Sequence, residues 1–358
     1  MRAIACYTAD MPDDNKRSDG DSGEDGGTAD TLHPFAKFLR LVGRGPTLSR
    51  SLTIDEAEEA MTAILAGSAE PMQIGALFLL LRNRKETPEE LAGFVRAAQR
   101  WWKLPDEAAA EIDWPSYADR HKQLPYFILS ALLLAEQGIK IAMHGLAGVG
   151  EATTPRVLQA LGIEAANSVE DAARRIQRSG FAYLPIERFC PPLLRLFAMR
   201  PILGLRTPAN SFCRELNPLA ATAQLQGVFH PTYIVTHQEA ARFLKQPKAA
   251  IFKGGGGEAQ INPEKPCRVG LVEGEALTEE TWPPLLAGER HGWRDEPLDP
   301  RAVLALWRGE AAPAGPTAAV IGTVAIALKL LGRAPTQEAA LDQARAMWKG
   351  RAKGKYGR

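Results

Sequence analysis

Residues 139–162 read IKIAMHGLAGVGEATTPRVLQALG, and this stretch decides the fold. Ile139 to Met143 is short, apolar and bounded, the pattern of a buried strand. A loop carrying Gly145, Gly148 and Gly150 follows. Thr154-Pro155 then supplies an N-cap hydroxyl with proline at the first helical position. The helix runs to Leu161, and Gly162 stands where a C-terminal cap glycine belongs. Such a unit aims bare amides and a positive helix end at one spot, which suits an anion such as phosphate. The glycine spacing fits neither the dinucleotide nor the P-loop fingerprint. The plain alternative is an ordinary βα unit with a tight turn and no ligand.

Working outward, the same grammar recurs. Pro125 to Gln137 is an apolar helix, Ser168 with Asp171 caps another, Phe181 to Leu184 is a strand, and Pro191 to Met199 is a helix. Thr236 with Glu239 caps the helix before a second buried strand, Ala249 to Phe252, which opens onto Gly254-Gly255-Gly256-Gly257. Strands alternating with capped helices mean an α/β domain, from about 106 to 348. Asp113 to Tyr117 reads as a loop, and 262–300 as loop-rich with a strand at Arg268 to Val272. Helices from Thr317 to Leu331 and from Thr336 to Trp348 close the fold.

Residues 34–105 read differently, as a small helical bundle. A short helix spans Phe35 to Val42. Thr53 with Glu56 forms a capping box for a helix to Leu65. Met72 to Leu81 is apolar nearly all round, hence expected to be buried. Thr87-Pro88-Glu89-Glu90 starts a fourth helix, to about Trp102. The expected fold class is α/β with a separate small helical bundle.

Hydrophobic residues make up 45% of the 358 and charged residues 24%, a soluble globular balance. Cys6, Cys190, Cys213 and Cys267 are scattered, as are the six histidines, which argues against structural zinc and a disulfide framework. No apolar run reaches membrane length and no signal-peptide pattern opens the chain, so the cytoplasm is expected. The net charge of +1 hides an asymmetry. Residues 1–30 hold eight acids against three bases, a net −5, which leaves +6 on the rest. Residues 1–31 read as a disordered acidic arm. The end of the chain (349–358) reads as a basic tail. Together they suggest a polyanion partner with the arm as a competitor. Two solvated termini are the alternative.

The motifs resemble a known family. LTIDEAEEAMTAILAG and RNRKETPEELAGFVRA within 52–97, MRPILGLRTPANSFCRELNPL at 199–219, QLQGVF at 224–229 and IFKGGGGE at 251–258 resemble anthranilate phosphoribosyltransferase and its pyrimidine nucleoside phosphorylase relatives. The likeness covers about 34–348, with the elements in family order. It implies a homodimer through helical domains, with a segment near 180–200 returning to the helical domain.

The catalytic motifs depart from the family's. Where active members carry Gly-Thr-Gly-Gly-Asp for the pyrophosphate of phosphoribosyl pyrophosphate, this chain has Pro115-Ser116-Tyr117-Ala118-Asp119. Lys-His-Gly-Asn-Arg becomes Met143-His144-Gly145-Leu146-Ala147, and the magnesium-binding Asp-Glu pair becomes Glu258-Ala259. Arg200 matches the arginine that grips the anthranilate carboxylate. This pattern resembles the divergent YbiB-type branch, for which the resemblance implies a non-catalytic dimer that binds DNA without sequence preference. An active phosphoribosyltransferase with an altered substrate site is the alternative. It would need magnesium, whereas the first reading needs no cofactor.

Candidate residues follow. Lys253 beside Gly254 and Gly255 suits a phosphate, a cation among open amides; a structural lysine at a loop edge is the alternative. Arg200, Arg120, Lys122 and Gly145 complete the expected phosphate or nucleic-acid contacts. His144 is the candidate catalytic residue, against a turn histidine bonded to local backbone. Glu258 is the candidate metal ligand. Arg82, Arg84 and Lys85 form a basic cluster at a helix end. Trp101-Trp102 either stack bases or pack two domains together.

Overall fold

The computed structural model describes residues 32–45, 47–105, 109–118, 123–286, 288 and 296–357. Four helices come first: α1 (Ala36–Gly43), α2 (Ile54–Leu65), α3 (Pro71–Arg84) and α4 (Pro88–Gln99). The α2 and α4 starts are the expected capping boxes. The Thr53 hydroxyl accepts from Glu56 N while the Glu56 carboxylate accepts from Thr53 N, and Thr87 and Glu90 repeat the exchange. Each box satisfies two amides that helix geometry leaves bare. Glu90 also accepts from Leu52 N, which ties α4 to the chain entering α2. Phe38, Met61, Phe78 and Phe94 fill the bundle core. Helix α3 is not buried all round, as its composition suggests. Leu77, Phe78 and Leu81 face inward, but Met72 and Leu79 are exposed because no further layer covers that side.

The α/β part runs β1 (Ile112–Ser116), α5 (Phe127–Glu136), β2 (Ile141–Gly145), α6 (Thr154–Ala160), α7 (Val169–Ser179), β3 (Phe181–Pro185), α8 (Pro191–Ala198), α9 (Arg200–Leu203), α10 (Ala209–Phe212), β4 (Ala223–Val228), α11 (Tyr233–Phe243), β5 (Lys248–Lys253), β6 (Cys267–Glu273), β7 (Ala276–Trp282), α12 (Pro300–Arg308), α13 (Ala314–Leu330) and α14 (Gln337–Gly350). The strands form one sheet in the order β3-β2-β1-β4-β5-β6-β7. The pairs from β3 to β5 are parallel, and the β6–β7 hairpin closes the edge antiparallel. Alternation sorts the faces. Ile112, Trp114, Ile141, Met143, Leu225 and Phe252 enter the core shared with α5, α13 and α14. Asp113, His144, Gln224 and Gln226 take the other face, with Ala142 and Ala182 in the core shared with the bundle. Helix α8 joins that second core through Leu193 and Leu196, and Arg195 donates to Leu65 O.

Several local expectations change. Asp113 to Ser116 is strand, not loop. Proline is unusual in a central strand because it cannot donate to the ladder. Here the ladder between β1 and β4 ends at Asp113, so Pro115 lies beyond it. Strands β4 and β7 and helix α12 are additions to the expected elements, although β4 alternates as Ala-Gln-Leu-Gln and α12 starts on an Asp299 cap followed by Pro300. Thr236 lies inside α11, whose N-cap is Thr232. Strand β2 starts two residues late, and α6 is capped from Thr153, with no side-chain cap bond.

The basic tail is not a free arm. The Arg351 guanidinium donates to the carbonyls of Leu306, Trp307 and Trp348 and lies 3.6 Å from the Trp348 ring centroid. Tyr356 packs edge-on against Trp307, and Gly357 N donates to Leu161 O. The acidic arm (1–31) lies outside the described residues.

Candidate functional site

The loops that follow β1, β2, β4 and β5 gather at one end of the sheet, because parallel strands all point their C-terminal ends the same way. The candidate site is built there. After β1 the chain turns Tyr117 inward. Its side chain is fully buried, its hydroxyl lies 2.7 Å from His144 Nδ1, and its ring stacks on Phe197. Burial pushes the Tyr117 phenol well above its usual value, so it stays protonated and donates. His144 Nε2 in turn lies 3.2 Å from Asp113 Oδ2.

The line continues across the sheet. Gln224 Nε2 donates to Asp113 Oδ2 at 3.0 Å, and Gln226 Nε2 donates both to Gln224 Oε1 and to Glu215 Oε2. Glu215 Oε1 lies 2.6 Å from His237 Nδ1. Seven side chains thus form one buried polar line under the strand ends. Gln226 spends its amide nitrogen on two acceptors, and its carbonyl has no donor.

This geometry decides several expected roles. His144 is in strand β2, held by Tyr117 and Asp113 rather than by turn backbone, and has no exposed face for a substrate. Gly145 is a strand residue whose Cβ would sit 2.2 Å from Ser116 O, so its smallness serves chain packing. The anion spot expected at the α6 start is closed: Thr153 and Thr154 are buried, and the Thr154 hydroxyl is bonded to Ser116. Glu258 is buried, and its Oε1 accepts from Ala118 N at 2.7 Å. Its Oε2 has no partner, but no group of three His, Cys, Asp or Glu that could hold a metal occurs among the described residues. Glu258 offers at most one bare carboxylate oxygen, and that oxygen is buried, where magnesium takes one or two carboxylates together with substrate phosphates and waters.

Lys253, Gly254 and Gly255 do line one groove, of about 580 Å³, together with Lys265, Arg268 and Phe229. Neither Lys253 nor Lys265 is ion-paired among the described residues. The glycines of this loop answer to geometry. A Cβ at Gly254 would lie 1.5 Å from Glu258 O, and Gly256 and Gly257 hold φ of 69° and 96°. Arg200 lies elsewhere, in a wider and mostly apolar cleft of about 1100 Å³ beside the 146–152 loop. The two sites expected to act together are therefore separate. Arg120 and Lys122 fall outside the described residues.

Of the basic cluster, Arg84 is structural, donating to Arg50 O and Ser51 Oγ. Arg82 and Lys85 are exposed and line another cleft with Arg206, Arg214 and His230. The last three escape a reading of the sequence. Arg206 and His230 sit in irregular segments and Arg214 in a three-residue 3-10 turn, all too short for periodicity to carry a signal. Trp102 packs edge-on against Phe189, the packing alternative.

Comparison with known proteins agrees with this architecture. Residues 36–100 match the glycosyl transferase family's helical bundle domain, and residues 127–352 match its a/b domain. The uncharacterized protein YbiB of Escherichia coli strain K12 is 28% identical over 251 residues, 68% of this chain and 78% of that protein. The anthranilate phosphoribosyltransferase of Gluconobacter oxydans strain 621H is 30% identical over 259 residues, 71% of each. The crystal structure of anthranilate phosphoribosyltransferase from Thermus thermophilus superposes with a TM-score of 0.68 at 25% identity, covering 84% of this chain and 92% of that one. With both domains matched in order and the sheet and bundle assembled as described, the chain belongs to the glycosyl transferase family that includes the anthranilate phosphoribosyltransferases.

Proposed function

We propose that this chain is a nucleic-acid-binding homodimer built on the transferase scaffold, without the transferase reaction. One observation carries the reading: the place of the glycine cradle is occupied by Tyr117, a buried core side chain bonded to His144. A diphosphate needs backbone amides it can approach closely, and a packed aromatic ring denies that approach. Cations persist on the rim of the same strand ends. Lys253 and Lys265 have no carboxylate partner among the described residues and can neutralise phosphates. The dimer partner is a second copy of this chain, meeting the uncovered face of α3 at Met72 and Leu79, both exposed.

The test is fluorescence anisotropy with two unrelated oligonucleotides across a salt series. Both should bind alike, with affinity falling steeply with salt. Lys253→Ala and Lys265→Ala should each lower the log–log slope by about one unit. No binding at low salt would overturn the reading. The altered-transferase alternative draws on the roomy Arg200 cleft. Anthranilate, phosphoribosyl pyrophosphate and magnesium together should give no turnover above background. A robust rate would promote that alternative.

A further inference from the structure

The cleft between α3 and the start of α11 has a composition that neither the Lys253 groove nor the Arg200 cleft shares. It measures about 490 Å³. Arg82 and Lys85 reach it from the end of α3, and Arg206 and Arg214 from the segment around α10. Arg214 is the built part. It is only 6% exposed, and its Nε and Nη2 donate to Gly227 O and Gly257 O. Its Nη1 makes no hydrogen bond among the described residues, yet the residue lines the cleft. Burial lowers Arg214 from its usual value and Glu258 nearby opposes that; a guanidinium stays charged even so.

The carboxylates nearest this cleft, Glu86, Glu215 and Glu258, are buried, and none of them lines it. Glu86 accepts from the Tyr233 hydroxyl, and Glu215 accepts from Gln226 and holds His237. His237 lines the cleft, and with Nδ1 on Glu215 its Nε2 is the ring atom left for a ligand. Four cations, Arg82, Lys85, Arg206 and Arg214, line the cleft, and no acid lines it among the described residues, which makes a site for concentrated negative charge. A phosphate monoester carries close to two charges at neutral pH, its second pKa being about 6; an internal phosphodiester carries one. The volume admits one nucleotide and excludes a duplex. Phe229, 52% exposed, forms a wall shared with the Lys253 groove, and the Arg206 guanidinium lies 5.9 Å from its ring. A nucleobase can stack on such a face.

We propose that this cleft binds a nucleotide through a terminal phosphate monoester. Arg214 Nη1, Arg82 and Lys85 hold the phosphate and Phe229 takes the base. The ligand is either a free mononucleotide or the phosphorylated end of a strand, and the site stands whether or not strands bind elsewhere.

The experiment is isothermal titration of the full-length protein with AMP, adenosine and inorganic phosphate. AMP should bind and adenosine should not. The double variant Arg82→Gln/Lys85→Gln, at exposed positions that leave the fold intact, should weaken AMP about tenfold or more. Phe229→Ala should weaken AMP but not inorganic phosphate. Competition then separates the sources. Displacement of AMP by a 5′-phosphorylated oligonucleotide, but not by its 5′-hydroxyl twin, assigns the strand end; displacement by neither assigns the mononucleotide. Absence of AMP binding overturns the proposal. So does equal AMP affinity in the double variant, or equal competition by both oligonucleotides.

Discussion

Replacing Tyr117 by phenylalanine takes one oxygen out of the buried polar line and nothing else. The ring keeps its stacking on Phe197, and no cavity larger than that oxygen forms. His144 Nδ1, 2.7 Å from the lost hydroxyl, is left buried without a donor. Leaving such a group unpaired costs about 1–3 kcal/mol, a sizeable share of the roughly 5–15 kcal/mol that typically separates folded from unfolded chains. Urea denaturation followed by circular dichroism at pH 7 should show a lower midpoint with an unchanged slope. A cycle with His144→Leu should show coupling of about 0.5–3 kcal/mol, because the two side chains share one hydrogen bond. Tyr117→Gly restores one residue of the family cradle. It should cost about 3–5 kcal/mol for the cavity and still give no turnover. A loss under about 0.5 kcal/mol for Tyr117→Phe, with additive cycle energies, would refute the reasoning and make the loop a ligand segment after all.

Other outcomes follow from particular contacts. Arg50 beside Glu56 holds the Glu56 carboxyl down at about 2, against 4.5 for the free group. A depressed carboxyl stabilises above its unfolded pKa and loses that contribution as pH falls through its folded one. Glu56→Gln should therefore cost about 1 kcal/mol or less at pH 7, since the pair is largely exposed, and the difference should vanish toward pH 2. Arg351→Ala should lower stability by about 2–3 kcal/mol while leaving oligonucleotide affinity unchanged, measured by urea titration and anisotropy on the same preparation. Gly254→Ala forces a methyl into the Glu258 carbonyl and should cost about 3 kcal/mol or more; wild-type stability would refute the close approach.

What the sequence reveals, and what it hides, has physical causes. Capping boxes at Thr53 and Thr87 and the Ser168 cap are local chemistry, and all are present in the structure. Strand β1 is hidden because Pro115 argues against a strand, and only the early end of the β4 ladder makes it tolerable. Thr154 looks like a cap because hydroxyl-proline pairs often are, yet its hydroxyl finds Ser116, 38 residues away. The tail looks free because charge is all that its own residues offer; Trp307, which receives Tyr356, lies on a separate helix much earlier in the chain. Lys253 can be picked out, since a cation after a buried strand and before four glycines is a local pattern. Arg214 cannot, because its role depends on carbonyls from strand β4 and from the distant glycine loop after β5.

The polar line under the strand ends has a further consequence, for the order in which the sheet can form. Side chains on β1, β2 and β4 meet in it only if every register is correct. A one-residue slip of β1 would carry Asp113 among Ile141, Met143 and Leu225, where a carboxylate has no donor and stays costly to bury. Asp113 finds its amide donor, Gln224, 111 residues further along the chain. Until β4 arrives, the β1–β2 pair therefore has a reason to leave that face hydrated, and a fragment ending before Gln224 keeps the central sheet open. The same residues act as a check on assembly, closing the core only when the second half of the chain is in place.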